Sequence, residues 1–250
     1  MALQADVAPL DHPPGSRKLA IIVALAVGRA CLDGQLDRPA PRDVEVVQSG
    51  PGPATAARAA GAAVAAGATA LMSLGLAGAL EPNLAPGTIV LPAGVVTEDG
   101  RETTTDPRWR QALRAVLARR FAVADGRLLS AARVLDVAEK SAAARATGAI
   151  ACDMESAAIG AAAAAAGIPF VALRVIADRA ADRLPSGVAT WVDAAGNTRL
   201  APVLAALSRP GEWRPLWVLV SRFAAARSVL RLLAVELRAA DFGRPFALRA

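Results

Sequence analysis

The sequence predicts a single α/β domain, with a mostly parallel or mixed central sheet flanked by helices and a long C-terminal helix. Three observations carry that expectation. Short apolar runs of strand length alternate with helical stretches along the chain, the pattern of a sheet built with crossover helices. At 250 residues the chain is long enough for one domain with a sizeable core. Its hydrophobic fraction is 54%, much of it Ala, with few aromatics and no Tyr, so the core is expected to be aliphatic and close-packed.

Residues 1–17 are polar and rich in Pro and read as a disordered leader. Leu19 to Val27 is a continuous apolar run and reads as the first buried strand, with Gly28, Arg29 and Cys31 at its C-terminal end. Val44 to Val47 gives a second strand that ends in the turn Ser49-Gly50-Pro51-Gly52-Pro53. A helix is expected from Pro53 to about Ala66, because Pro fits the first helical position, where no amide hydrogen is needed. Thr69 to Leu74 reads as a third strand, followed by the glycine turn Gly75-Leu76-Ala77-Gly78. Pro86-Gly87 turns into Thr88 to Leu91, and Val95 and Val96 stay extended before the turn at Glu98-Asp99-Gly100. Asp106 is placed to cap a helix that runs to about Arg120. Arg127 to Leu129 is a strand, Val134 and Leu135 follow, and Asp136 is placed to cap a helix to about Thr147.

A short apolar run then leads to Asp153, Met154 and Glu155, which open an Ala-rich helix. Phe170 to Ala177 reads as a buried strand with Asp178 and Asp182 beyond it. Ligands of parallel α/β sheets sit at strand ends, so this stretch holds the principal candidate site. Leu184 to Gly187 is a loop, Val188 to Val192 looks extended, and Leu200 to Leu207 looks helical. A soft boundary near Ser208-Arg209-Pro210-Gly211 divides the domain, 18–210, from a C-terminal segment, 211–250.

Composition narrows the chemistry. The sole histidine, His12, lies in the leader, which excludes a His-based triad and argues against a His-ligated metal. Cys31 and Cys152 form no C-x-x-C pair and read as buried thiols of a reduced, cytoplasmic protein. No signal-peptide pattern is seen. Two charge-free stretches, 59–80 and 156–173, are broken by Gly and Pro and read as core helix and strand rather than membrane spans. The net charge of +6 comes almost wholly from Arg and reads as a solvated surface, with no nucleic-acid partner expected. Residues 212 to 237 form a basic helical pattern in which Arg residues punctuate Trp213, Leu216, Trp217, Val220 and Phe223. Such a helix either docks on the domain or a partner subunit, or lies at a membrane interface.

The local chemistry of the candidates is open on either side. Glu155 at a helix start complements the helix dipole, or its two oxygens accept from a vicinal diol such as a ribose presents. Asp153 is an N-cap candidate. Asp178 caps its loop through Asp182, or faces a pocket as a general acid whose pKa burial raises. The glycine turns at 49–52 and 75–78 expose amides that hold an anion or a water.

Together these pieces resemble the purine nucleoside phosphorylase and methylthioadenosine nucleosidase superfamily over roughly Leu19 to Leu207. The most specific match is Asp-Met-Glu-Ser-Ala-Ala at 153–158 with Leu-Arg-Val-Ile-Ala-Asp at 173–178. Ser-Gly-x-Gly at 49–52, Gly-x-Ala-Gly at 75–78 and Pro-Gly-Thr-Ile-Val at 86–90 follow the family order. Val-Thr-Glu-Asp-Gly-Arg at 96–101, Thr-Asp-Pro-Arg-Trp at 105–109, Arg-Val-Leu at 133–135 and Leu-Ser-Arg-Pro-Gly at 207–211 resemble one branch. That branch is the hopanoid-associated phosphorylases, or adenosylhopane nucleosidases. The resemblance implies a three-layer nucleoside-phosphorylase-like domain, a homo-oligomer, no cofactor, and release of adenine from a nucleoside whose ribose carries a lipid. It implies Asp178 as the acid on purine N7, Glu155 on the ribose hydroxyls and Met154 against the ribose. Val134, Leu135, Ala77 and Gly78 would line the substrate.

Two departures bear on the attacking group. The family's nucleosidases carry a water-activating Glu where this chain has Gly28, and its phosphorylases carry phosphate-holding Arg and Ser where it has Ser73 and Leu76. Gly50, Gly52 and Arg29 are the remaining candidates to hold phosphate. Water and inorganic phosphate both stand as co-substrates at this point. A nucleosidase for small 5′-thioadenosines and a silent nucleoside-binding protein stand as alternatives.

Overall fold

The computed structural model describes residues 18–36, 43–185, 187–199, 201, 208 and 210–243. The Pro-rich leader lies outside them, as does the predicted helix at 200–207 apart from Ala201. Among the described residues ten strands join one mixed sheet.

Strand β1 (Leu19–Val23) is completely buried, as its unbroken apolar run requires. It pairs in parallel with β2 (Val44–Gln48) and with β3 (Ala70–Ala79). Helix α1 (Ala26–Leu36) starts three residues after β1, so Gly28 and Arg29 lie inside a helix rather than on a strand-end loop. The apolar stretch from Ala24 to Val27 hides that boundary, because nothing in it breaks the strand-like run. Helix α2 (Pro53–Ala65) begins at the predicted proline and buries Ala56, Ala60 and Ala63.

Strand β3 is the axis of the sheet. Its first half lies against β1, Leu19 opposite Ala70 through Ile22 opposite Ser73. Along one edge it runs parallel to β10 (Phe170–Asp178), from Phe170 opposite Leu71 to Asp178 opposite Gly78. Beyond Ser73 the edge that β1 vacates is taken by β9 (Ala149–Asp153), which runs antiparallel with Gly78 opposite Cys152. The sequence 75–78, expected as a turn, is therefore strand. Its glycines serve the sheet by leaving room for β10 side chains. A Cβ on Gly75 would lie 3.1 Å from Arg174 Nη1, and one on Gly78 would lie 3.2 Å from Asp178 Oδ1.

The remaining strands extend both sides. β4 (Ile89–Val90) pairs with β10 and β7 (Val123–Ala124), while β5 (Gly94–Thr97), β6 (Glu102–Thr104) and β8 (Arg127–Ser130) continue beyond β9. β6 and β7 are too short to leave a periodic signal. Helix α3 (Pro107–Leu117) is capped as expected, Asp106 accepting from the Trp109 amide at 2.8 Å. Helix α4 (Val137–Thr147) opens with a capping box between Asp136 and Glu139. Helix α5 (Ser156–Ala165) follows β9.

Alternate residues of the strands feed two cores, which gives three layers. One core joins Ile21, Met72, Leu173 and Val175 to Leu32 of α1 and Trp109 and Leu113 of α3. The other joins Ile22, Leu71, Ala172 and Ile176 to Ala60 of α2 and Ile159 of α5. The segment Val188–Trp191 is a 3₁₀ turn rather than the expected extended run. Gly187 enters it in the left-handed region, and its carbonyl accepts from both the Thr190 amide and hydroxyl, which curls the chain.

The C-terminal helix, α6 (Trp213–Ala239), is docked on the domain. Leu230, Leu233, Ala234 and Leu237 complete the first core. Trp109 Nε1 donates to the Phe242 carbonyl at 2.9 Å, and Arg120 pairs with Glu236. The opposite face of α6 exposes Trp213, Trp217 and Val220. Among the described residues no helix is long and apolar enough to cross a membrane. Leu233 is fully buried, so Leu233→Ala is expected to cost roughly 2–5 kcal/mol in urea unfolding. A change under about 0.5 kcal/mol, as at a surface position, would show that α6 is not core.

Candidate active site

Topology gathers the predicted acidic residues. β9 runs antiparallel to β3, so the chain from Asp153 to Ser156 returns along β3 toward Ser73. Ser156 Oγ meets Ser73 Oγ at 3.1 Å. Arg174, midway along β10, reaches the same point: Nε donates to Asp153 Oδ2 at 2.8 Å and Nη2 to Ser73 Oγ at 2.6 Å and Ser156 Oγ at 2.9 Å. Asp153 also accepts from the Ser156 amide at 3.1 Å and so caps α5 as well as pairing with Arg174. All four side chains are buried. The sequence reading did not single out Arg174 or Ser156, although a charged residue inside the apolar run of β10 was a visible signal.

Glu155 stands at the start of α5 beside this network. Its Oε1 accepts from the Gly52 amide at 2.8 Å, so the 49–52 turn and Glu155 do meet. Burial pushes the Glu155 carboxyl up from the ordinary range, and nearby Asp153 adds to that; Arg174 and the Gly52 amide pull it back. The Gly52 amide is thereby spent on Glu155 rather than left for an anion. Gly50 adopts a φ of +79° and is pressed against the Ala194 carbonyl. Arg29 is tied elsewhere: Nη1 donates to the Val46 carbonyl at 3.0 Å, and Nε lies 3.3 Å from Asp33 of its own helix.

Asp178 closes β10 directly across from Gly78, with Cys152 on the far side of Gly78. Burial pushes its carboxyl upward, while the charge and hydrogen bond of Lys140, and then the charge of Arg222, pull it down. The buried Lys140 forms an ion pair with the largely buried Asp178 and donates to the Arg179 carbonyl at 3.1 Å. Asp182 accepts from the Arg179 amide at 2.8 Å and pairs with Arg222 of α6, which ties the C-terminal helix to the rim of the site. Lys140 was missed by periodicity, since α4 shows no hydrophobic face. The available signal was compositional: it is one of only two lysines in an Arg-rich chain.

The other predicted lining residues divide. Met154 and Val134 are half-buried, and Ala77 and Leu135 are buried. Leu135 packs with Leu80, Val96 and Leu129 in a small third core, so much of its surface is spent on structure. Burial pushes the Cys152 thiol up to about 12, which leaves it un-ionised and unsuited to nucleophilic work near neutral pH. The arrangement thus offers a largely buried carboxyl paired with an ammonium at the end of β10, and a second carboxyl at the start of α5 able to accept hydroxyl hydrogen bonds when ionised.

A family model described as the phosphorylase superfamily matches residues 40–209. The chain belongs to the phosphorylase superfamily. Its fold is similar to that of futalosine hydrolase from Helicobacter pylori, with a TM-score of 0.68 at 14% identity, covering 92% of this chain and 99% of that one. It is similar to the 5′-methylthioadenosine/S-adenosylhomocysteine nucleosidase of the same organism, with a TM-score of 0.69 at 14% identity, covering 92% and 100%. The corresponding enzyme of Neisseria meningitidis, in complex with methylthio-immucillin-A, gives 0.65 at 18% identity over 88% and 98%. At such identities the likeness establishes the fold. No curated protein sequence matches the chain significantly.

Proposed function

We propose that the protein hydrolyses the N-glycosidic bond of an adenine nucleoside, and that its substrate is adenosylhopane. The observation that carries the first part is Asp178, a largely buried carboxyl, 13% exposed, at the end of β10, with the buried Glu155 on the chain that follows β9 along the other side of β3. Asp178 protonates N7 of the departing purine, which spares the base from leaving as an anion. Glu155 engages the ribose hydroxyls and places negative charge near the oxocarbenium-like sugar. Met154 packs on the ribose, and Val134, Ala77 and Gly78 border the base. The nucleosidases of similar fold support the reaction class.

Water is the favoured attacking group over phosphate. Ser73 Oγ is consumed by Arg174 and Ser156, the Gly52 amide by Glu155, and Arg29 by Val46 and Asp33. The lipid substrate is supported by the branch-specific segments 96–101, 105–109, 133–135 and 207–211, and by α6. Between Trp213 and Val235 that helix has no acidic residue; its exposed residues include Trp217, Val220 and Arg214, with Arg227 and Arg231 at the edge beside Cys31 of α1. An apolar stripe flanked by Arg suits an anionic membrane surface. Arg222 would hold that face beside the site where the lipid emerges.

Adenine release from adenosylhopane in vesicles is expected to exceed release from 5′-methylthioadenosine, and inorganic phosphate is expected to leave both rates unchanged. Equal or faster turnover of the thioadenosine would replace the lipid reading with the small-nucleoside one that the fold neighbours favour. A rate proportional to phosphate would make the enzyme a phosphorylase.

A further inference from the structure

Of the eleven residues of α4, Lys140 alone is buried. A lysine is an unusual residue to anchor a helix, since its charge must be taken out of water and satisfied. Here it is satisfied by one carboxylate, Asp178, and one carbonyl, that of Arg179. The side chains of the pair are 3% and 13% exposed. The pair poses a chemical difficulty for the reading of Asp178 as the acid, on which this inference rests. A carboxylate locked to an ammonium has no proton of its own to give.

We propose that Lys140 supplies the proton that Asp178 delivers to the leaving base. Lys140 Nζ first passes its proton to Asp178, and Asp178, now the neutral acid, passes that proton on to purine N7. The electron pair of the C1′–N9 bond goes into the purine ring. The base leaves neutral, Asp178 returns to the carboxylate, and Lys140 is left as an amine still bonded to the Arg179 carbonyl. Water adds to C1′ and sheds a proton to solvent, and solvent reprotonates Lys140, so the cycle closes. Lys140 does not touch the base; it is a positioning residue that acts through Asp178.

The surroundings favour a pair that shares one proton. Asp178 faces Lys140 from α4, Arg222 from α6, the Arg179 and Asp182 loop that follows β10, Gly78 from β3 and Cys152 from β9. The Cys152 thiol is neutral and Asp182 is engaged by Arg222 and the Arg179 amide, so among the described residues Lys140 alone donates directly to Asp178 from another element. Burial raises the Asp178 carboxyl, which lowers the cost of its holding the proton in transit.

The test compares Lys140→Arg, Lys140→Met and Asp178→Asn, with adenine release from 5′-methylthioadenosine and adenosylhopane followed from pH 5 to 9 and the melting temperature as the fold check. Arginine keeps the charge and the ion pair but does not give up its proton in proteins. Lys140→Arg is therefore expected to lose on the order of 10²-fold or more in kcat with KM little changed. Lys140→Met is expected to work at the acid end, where Asp178 carries its own proton, and to fall as pH rises while the wild type holds. Wild-type kcat in Lys140→Arg, or a loss in Lys140→Met equal at every pH, would overturn the proposal. If Lys140→Met does not fold, Lys140→Arg decides. Full activity in Asp178→Asn would instead remove the acid reading itself, a separate result from an inert Lys140.

Discussion

Asp178→Asn is expected to lower adenine release by about 10²- to 10⁴-fold, the range for loss of a positioned general acid, and to lower the melting temperature while the protein still folds, because Lys140 loses its counter-charge. Asn matches the shape of Asp and keeps an oxygen for the Lys140 ammonium, which also retains the Arg179 carbonyl. What it lacks is the acidic proton. Adenine is a poor leaving group as an anion, so the chemical step should suffer far more than substrate binding. Gly78 has no side chain to be displaced by the amide, so packing should tolerate the change. Initial rates and a melting curve on the same preparation check both halves. Unchanged turnover would refute the acid role, whereas a wild type that releases no base from any adenine nucleoside would point to a silent binding protein.

Arg174→Met should have the largest effect on stability, about 3–5 kcal/mol, because it strands the Asp153 carboxylate in the interior. The guanidinium is the charge partner of Asp153 and also donates to Ser73 and Ser156, so its removal unpairs several buried groups at once. Methionine fills much of the arginine stem, so the loss reports charge and hydrogen bonding more than cavity. Adding Asp153→Asn should return part of the stability, since the uncompensated charge is gone and an acceptor for the Ser156 amide remains. Urea midpoints of the single and double variants measure this. Identical values for both would show that the buried charge is not the cause.

Much of the fold was legible because its signals are local. β1 and β10 are continuous apolar runs, Pro53 marks the start of α2, and Asp106 and Asp136 sit where caps belong. The acidic pair Asp153 and Glu155, and Asp178 one strand later, could be found from their positions at element ends. What escaped depends on which strands become neighbours. Gly75 and Gly78 read as a turn because glycine punctuates most chains, yet here each makes way for a side chain from β10. The Gly52–Glu155 bond and the Arg174 network span a hundred residues or nearly so, beyond any periodic reading. Lys140 lies on a helix with no apolar stripe, so its burial is decided by Asp178 across the sheet, not by α4. The pattern of α6 does not separate docking from a membrane interface, because one face is buried on the domain while the other exposes Trp213, Trp217 and Val220.

The docking of α6 also sets an order of events during synthesis. The helix leaves the ribosome after every strand it covers, so Ile21, Met72, Leu173 and Val175 are all made before Leu230, Leu233 and Leu237 arrive to close over them. At about 5–20 residues per second, the interval between β10 and the end of α6 lasts several seconds. During that time one side of a largely assembled sheet presents aliphatic surface to the cell. The nascent chain should therefore be a better client for chaperones than the finished enzyme, and a stall in that window more damaging than one earlier.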